Sequence, residues 1–433
     1  MKAMVVGGGA REHAIVDALI AGGAEVYVFM PMLNPGIKKG ATAFLIGKMD
    51  DLQAAVKFAK DNQVEYAVIG PEAPLAAGMV DELEKNNIPC VGPTKELAQL
   101  ETSKGFTRNL LQKYKIDASP KFKVFDKNNS SEISEFLDEL EGFVIKPDGL
   151  TGGKGVKLNG EHLHSKDEAI KYCDEVLESH PSVIIEEKLQ GEEFSLQTLT
   201  DGSGFLHFPP VQDHKRAFDG DLGNNTGGMG SYSDANLLLP FLKKEDVDAA
   251  SKITEEVAAA LKQEIGAYKG VMYGGFIKTK DGIKLIEYNA RFGDPEAMNV
   301  LPLLKTSFAK VCKAIATGEK GEMKIIFAKK ASVCKYVVPK GYPENAETGK
   351  IIVPKSDALT YYAAVEEKEG SLYTTNSRGV AFVGIADTLE EAEKIAEDAA
   401  SKVEGNVYHR KDIGTKELVK KRIEHMKKLG GQK

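Results

Sequence analysis

The stretch MYGGFIKTKDGIKLIEYNARFGDPE, Met272–Glu296, decides the fold. Two apolar runs flank Asp281-Gly282, a dipeptide typical of two-residue hairpin turns, so the spacing predicts an antiparallel strand pair over 272–289. On the second strand Glu287 and Asn289 are two residues apart and share a face. A carboxylate and an amide carbonyl are hard oxygen donors, which Mg²⁺ or Mn²⁺ accepts beside substrate phosphates. Arg291, again two residues on, carries the forked guanidinium that clamps phosphoryl or carboxylate groups. Asp294 and Glu296 follow around a Gly-Asp-Pro turn. A lone E-x-N is better read as a strand end with solvated charges. Five polar side chains crowded round Gly293 and Pro295 favour a site.

Working outward, FVIKPDGLTGGKGV (143–156) sets a glycine-rich loop between two short strands. It is not a Walker A loop, since Gly155 follows Lys154 where Ser or Thr is required. A hairpin flap bearing Gly152, Gly153 and Lys154, with Lys146 behind it, suits a polyphosphate: backbone N–H groups make an anion nest and the ammonium groups add charge. SVIIEEKLQGEEFSL (182–196) is a strand, a polar connection and another strand. Glu186 and the backbone near Leu189 are candidates for an adenine edge and Glu193 for a ribose, although two charged hairpin ends fit this stretch equally well. HKRAFDGDLGNNTGGMGSYS (214–233) is long, glycine-rich and aperiodic, and Lys215, Arg216, Asp219, Asp221, Asn224, Asn225 and Thr226 on it point to a substrate-organising loop.

Towards the N-terminus, apolar runs at 3–6, 25–30, 43–46, 65–70 and 89–92 alternate with helical stretches, the pattern of a doubly wound parallel sheet. Ligands bind such sheets at the carboxyl ends of the strands. The turn Gly7-Gly8-Gly9-Ala10-Arg11-Glu12-His13 fails as a dinucleotide motif: Glu12 stands at the third glycine position, and no acidic residue ends the second strand. It remains a candidate cradle for one phosphate, with Arg11 and His13 adding charge, against the plain alternative of a ligand-free tight turn. Glu72, in Gly70-Pro71-Glu72, sits at a second strand end.

Beyond about residue 325 further strands and a helix near 389–403 form an α+β module with no catalytic cluster. Arg378 lies on a turn and is expected to be solvated in preference to reaching a neighbouring site, and the basic tail from Asp412 onward is expected to be a solvated face. Three divisions are therefore expected: 1–102, 103–325 with a flap subdomain over about 120–190, and 326–433. The net charge of −7 argues against nucleic acid as a partner. Cys90, Cys173, Cys312 and Cys334 are widely spaced and are expected to be reduced thiols. Neither a signal peptide nor a run of 18 apolar residues is visible. A cytoplasmic protein, monomeric or weakly dimeric, is expected.

Taken together these motifs resemble the phosphoribosylamine–glycine ligase family of the ATP-grasp superfamily. The resemblance runs through GGGAREHA (7–14), GPEAPLAAG (70–78), GPT (92–94), FVIKPDGLTGGKGV (143–156), IIEEKLQGEEFS (184–195), QDHKRAFDGDLGNNTGGMGSYS (212–233) and IEYNARFGDPE (286–296). The chain departs from the common pattern at Ala10 and at Thr151-Gly152, and the strand before E-x-N lacks the acidic metal ligand many relatives carry. The resemblance implies ATP-dependent joining of glycine to 5-phosphoribosylamine through a glycyl phosphate, in purine synthesis. It implies Lys104, Lys146 and the 149–155 flap on ATP, with Glu186, Leu189 and Glu193 near adenosine. Glu287 and Asn289 would hold Mg²⁺ or Mn²⁺, and Arg291 the transferring phosphoryl group. Gly9, Arg11, Glu12, His13, Glu72, Asp213, Lys215, Asn225, Thr226, Gly227 and Gly228 would hold glycine and phosphoribosylamine, with Asp294 and Glu296 near the amine. The rivals are another carboxylate–amine ligase or carboxylase of the superfamily, which should lack the QDHKR…NTGGMG loop, and a non-catalytic nucleotide sensor, which should have lost Arg291, Lys146 or Glu287.

Overall fold

Five apolar runs become one parallel sheet, in the order Ala43–Ile46, Glu25–Met30, Lys2–Val6, Tyr66–Ile69, Cys90–Val91. A computed structural model describes the chain apart from Asn128, Gly153, Lys154, 320–323 and 431–433. The central strands of this sheet are buried on both faces, whereas the edge strand Ala43–Ile46 alternates and exposes Phe44 and Ile46. Strand order reverses between Lys2–Val6 and Tyr66–Ile69, so the Gly7 and Gly70 turns lie side by side at the switch point. The first helix, Ala10–Ala21, takes in Ala10 to His13, read from the sequence as part of the turn, because Glu12 accepts the Gly9 N–H at 2.7 Å and caps it.

The centre is built from two antiparallel sheets. One comprises Phe122–Phe125, Val183–Glu187, Phe143–Pro147 and Lys157–Leu158, and encloses its own core of Phe125, Ile133, Phe143, Ile145, Cys173 and Ile185. The other comprises Phe205–His207, Glu192–Thr200, Gly270–Thr279 and Gly282–Asn289, backed by the helix Lys244–Glu264. The expected hairpin is present, but its two loop residues are Lys280 and Asp281, with Gly282 already paired to Thr279. The strands 183–187 and 192–200 belong to different sheets and are not a hairpin.

The aperiodic 214–233 stretch is more ordered than expected. It contains the hairpin Arg216–Phe218/Leu222–Asn225 and the strand Gly230–Ser233. That strand enters the last large sheet, of order Gln212–Asp213, Gly230–Ser233, Ala331–Pro339, Val380–Ala386, Leu359–Tyr362, with Val407–Tyr408 added at one end of Ala331–Pro339. Hydrogen bonding thus crosses the 325/326 division. A continuous apolar core also joins Val5 and Ile15 through Phe194, Phe276 and Leu285 to Val333 and Val383. All four cysteines are free and buried. Among the described residues, no helix is long and apolar enough to cross a membrane.

A buried cation fastens the last sheet to its helix. Lys335 is 0% exposed, and its ammonium donates to Glu393 at 2.5 Å, to Glu397 at 2.7 Å and to the Lys411 carbonyl at 2.8 Å. Burial pushes the Glu397 carboxyl up, but hydrogen bonds from His409, Lys335 and Ser401 outweigh it and hold it at about 2. Its contribution is therefore complete above the ordinary carboxylate value of 4.5 and is lost as pH falls towards 2. Lys335→Ala, which strands two carboxylates, is expected to cost about 3–5 kcal/mol in chemical denaturation at neutral pH. In Glu397→Gln the loss of stability between those two pH values should shrink; an unchanged acid limb would show that Glu397 does not carry it.

Candidate active site

The two central sheets face one another across a cavity of about 980 Å³. Val144, Lys146, Val156, Leu158 and Glu186 line it from the flap side, and Tyr273, Ile277 and Leu285–Asn289 from the other. The lining of the second wall depends on an irregularity. Gly275 pairs with Glu287 but Phe276 pairs with Leu285, so the strand bulges at Ile286. The Leu285 and Ile286 carbonyls accept from Arg108 at 3.0 and 2.7 Å, and Ile286 also accepts from Lys146 at 3.3 Å.

Arg108, on the helix Lys104–Lys113, also grips both oxygens of Glu186, at 2.7 and 3.1 Å, and Glu186 holds the Lys146 ammonium at 2.7 Å. All three side chains are buried. Burial pushes the Glu186 carboxyl up, but the two cations bring it to about 2. Glu186 therefore steadies Lys146 from below. Lys104, one helical turn before Arg108, donates to the Gly149 carbonyl at 2.8 Å, at the base of the flap. Asp148 anchors that base by accepting from Ser103 and Ser182 at 3.0 Å each. Of the flap residues, Leu150, Thr151 and Gly152 line the cavity; Gly153 and Lys154 lie outside the described residues.

Glu287 and Asn289 both face the cavity, as their spacing required. Burial opposes ionisation of Glu287, but Lys215, Lys146, Lys104 and Arg291 outweigh it and hold its carboxyl below the ordinary range. Lys215 stands between Glu193, at 3.7 Å, and Glu287, at 3.8 Å. No group of three or more His, Cys, Asp or Glu side chains capable of holding a metal occurs among the described residues. An ionised carboxylate and an amide oxygen at the bottom of a lysine-rich cleft nevertheless fit a hard cation that brings phosphate oxygens as its remaining ligands. Gly275 stands opposite Glu287 on the preceding strand and offers no side-chain ligand there.

At the far end of the cavity charges alternate. Arg11 pairs with Glu12 at 2.5 Å and lies 4.0 Å from Glu72; Arg291 lies 3.4 Å from Glu72, 3.0 Å from Glu101 and donates to Asn289 at 3.0 Å. Glu101, whose carboxyl burial pushes up, also accepts the Ala290 N–H at 2.7 Å. Gly293 passes its N–H to Gln197 at 2.8 Å, and a Cβ there would lie 2.3 Å from a Glu296 oxygen. Glu296 is itself held by the Tyr273 hydroxyl at 2.7 Å. Asp213 is raised well above the usual carboxylate range by burial and by the charge of Glu296. Asn225, Thr226 and Gly227 line the same end, and Gly228, at φ +106°, packs against Asp213 and Pro295.

Three expectations need correction. Gly9, Glu12 and His13 do not line the cavity. The Glu12 carboxylate occupies the space between the Gly7 and Gly70 turns and takes the Gly9 N–H that a phosphate would have used. His13 points away, under Gly36, where it accepts the Tyr362 N–H at 3.1 Å; burial and Lys39 keep its imidazole neutral, at about 4. Arg378 is not solvated: it stacks 4.5 Å from the Tyr336 ring, pairs with Asp294 at 3.1 Å and donates to the Gly227 and Gly228 carbonyls. The basic tail is a solvated face only in part: its lysines are exposed, but its arginines are covered and one side of it meets the cavity. Arg410 is 0% exposed, between Asp221 and Asp412, and the helix Lys416–Gly430 contributes Lys421, Arg422, Glu424, His425 and Lys428 to the cavity wall. Arg108, Glu101 and Gln197 were also missed. For the first two a signal was available: Glu101, Lys104 and Arg108 fall at spacings of three and four, one face of a helical stretch.

Comparison with known proteins agrees with this architecture. The phosphoribosylglycinamide synthetase family matches as three models: its N domain over residues 1–101, its ATP-grasp (A) domain over 102–297 and its C domain over 332–416. A phosphoribosylamine–glycine ligase of Methanobrevibacter smithii is 51% identical over 440 residues, covering 99% of this chain and 100% of its own. The crystal structure of the Thermotoga maritima phosphoribosylamine–glycine ligase superposes with a TM-score of 0.81 at 31% identity, over 95% of this chain and 100% of its own. The biotin carboxylase domain of the Hydrogenobacter thermophilus 2-oxoglutarate carboxylase, at 16% identity and a TM-score of 0.71 over 98% of this chain and 93% of its own, shares the fold alone.

The Arg378 clamp makes one test independent of turnover. Arg378→Ala removes the donors that hold the Gly227–Gly228 turn, so trypsin should cleave at Lys215 and Arg216 roughly tenfold faster. An unchanged cleavage rate would mean that the turn holds itself.

Proposed function

The chain belongs to the phosphoribosylglycinamide synthetase family and is an ATP-dependent ligase joining glycine to 5-phosphoribosylamine in purine biosynthesis, and we propose how its residues divide that work. The observation that carries the proposal is that Lys104, Lys146 and Lys215, from three separate stretches, line one cavity with Glu287, Lys215 standing 3.8 Å from it. A triphosphate entering this cleft would find its charge already balanced.

ATP lies between the two sheets. Its base sits among Val144, Val156, Leu158 and Leu285, with the backbone at Leu189 on its edge and Glu193 near the ribose. Lys104, Lys146 and the flap through Gly152, Gly153 and Lys154 take the phosphates, and Glu186 acts through Lys146. ATP-grasp ligases use ATP with a divalent cation; here Glu287 and Asn289 would hold Mg²⁺ or Mn²⁺, which supplies Lewis-acid neutralisation of phosphate charge. The glycine carboxylate then attacks the γ-phosphorus, the bond to ADP breaks, and glycyl phosphate forms. Next, the amine of phosphoribosylamine attacks the acyl carbon, phosphate leaves, and the nitrogen loses a proton. Arg291, held by Glu72 and Glu101, is aimed at the transferring phosphoryl group. Asp294 is committed to Arg378 and Tyr336, which leaves Glu296, beside the protonated Asp213, to hold the glycine ammonium and take that proton. Arg11 and Glu72 with Lys215, Asn225, Thr226, Gly227 and Gly228 enclose the remaining substrate groups. Neither step needs a covalent nucleophile; both need positioning and a closed cleft. The substrates are small molecules, and we take the protein to be cytoplasmic, monomeric or weakly dimeric, and without a nucleic-acid partner.

In an assay of ADP release, the protein should turn over with glycine plus phosphoribosylamine and not with bicarbonate; the opposite pattern would make it a carboxylase. Glu287→Gln should lower kcat by about 100-fold or more and raise the Mg²⁺ concentration needed for half-maximal rate. Unaltered metal dependence would remove Glu287 from the metal site.

A further inference from the structure

The helix Lys416–Gly430 begins where the C-domain match ends, at residue 416. It is docked on the nucleotide cleft by a specific anchor. Glu192, 5% exposed and just past the Lys188–Gly191 connection between the two sheets, accepts from His425 Nδ1 at 2.6 Å and lies 3.4 Å from Arg422 Nε. Arg422 reaches on to Asp221 at 2.5 Å. One face of the helix, Lys421, Glu424, His425 and Lys428, forms part of the cavity wall, at the helical spacing of three, four and seven. Lys421 and Lys428 are exposed and form no ion pair or hydrogen bond among the described residues.

We propose that this helix face is the sugar-recognising wall of the nucleotide site, with Lys421 and Lys428 donating to the ribose hydroxyls of ATP. The inference rests on the assignment of ATP to this cleft. Three lysines and Glu287 fix the triphosphate at one end, so the nucleoside lies towards the 188–193 connection, where the helix is anchored. The flat base is served by the apolar side chains between the sheets, whereas the helix offers only charged and polar groups. Hydroxyls are the part of a nucleoside such groups recognise.

Steady-state kinetics on the full-length protein test this. The double variant Lys421→Ala/Lys428→Ala should raise KM for ATP roughly tenfold, with kcat and KM for glycine within about twofold. The unmodified protein should prefer ATP to 2′-deoxy-ATP, and the double variant should narrow that preference severalfold, Glu193 keeping the remainder. Lys427→Ala, on the same helix but outside the wall, should behave as the parent. Lys104→Ala reports on the cleft itself and should raise KM for ATP. If Lys104→Ala does so while the double variant leaves KM unchanged, the helix wall is overturned and the ATP site stands. A raised KM with the 2′-deoxy preference intact overturns ribose as the group contacted. Should Lys104→Ala also be silent, the placement of ATP in this cleft falls, and the inference with it.

Discussion

One guanidinium, that of Arg108, sets the geometry on which the cleft depends. It binds the two oxygens of Glu186 on one sheet and the Leu285 and Ile286 carbonyls on the other. A regular ladder would have used the Ile286 carbonyl within the sheet; the bulge releases it. The planar, always-charged fork of arginine suits this position, where a lysine would lack the second prong. Buried pairs of this kind add little net stability, because desolvation offsets attraction. What they contribute is position: Lys146 is presented to the cavity by a carboxylate that is itself immobilised.

The same arrangement recurs at each level of the cleft. Glu101 and Glu72 hold Arg291, Glu193 and Glu287 flank Lys215, and Asp294 with the Gly227 and Gly228 carbonyls holds Arg378. Phosphoryl transfer to a carboxylate builds negative charge in a space that must exclude water. Cations gathered without counter-charges would repel one another in an empty cleft; paired with carboxylates, they are held in place there.

Local chemistry was legible in the sequence, and pairing across distance was not. The hairpin, the shared face of Glu287 and Asn289, and the flap between antiparallel strands all follow from spacing within about ten residues. Arg108 meets Glu186 across 78 positions, Arg378 meets Asp294 across 84 and His425 meets Glu192 across 233, and no periodicity announces such partners. A basic tail on an acidic chain has solvation as its default reading, and only the fold shows which of its faces is covered. The glycine turn at Gly7 misled for a different reason. Its helix supplies its own anion, Glu12, so the backbone donor that recommended the turn is already satisfied.

The strand Gly230–Ser233 sits between Gln212–Asp213 and Ala331–Pro339, so the final sheet is assembled from stretches nearly a hundred residues apart. Genetic modularity and structural modularity therefore diverge in this chain. A chimera spliced near 325 would bring a foreign terminal module to a host strand it has not matched, and would leave Met229, Tyr232 and their hydrogen-bond partners facing the wrong side chains. A recombination that respects the sheet has to carry residues 212–233 along with the terminal segment, and with them the hairpin whose residues line the cavity. The loop at 214–233 and the terminal module are therefore one unit of exchange, whatever the boundary at 325 suggests.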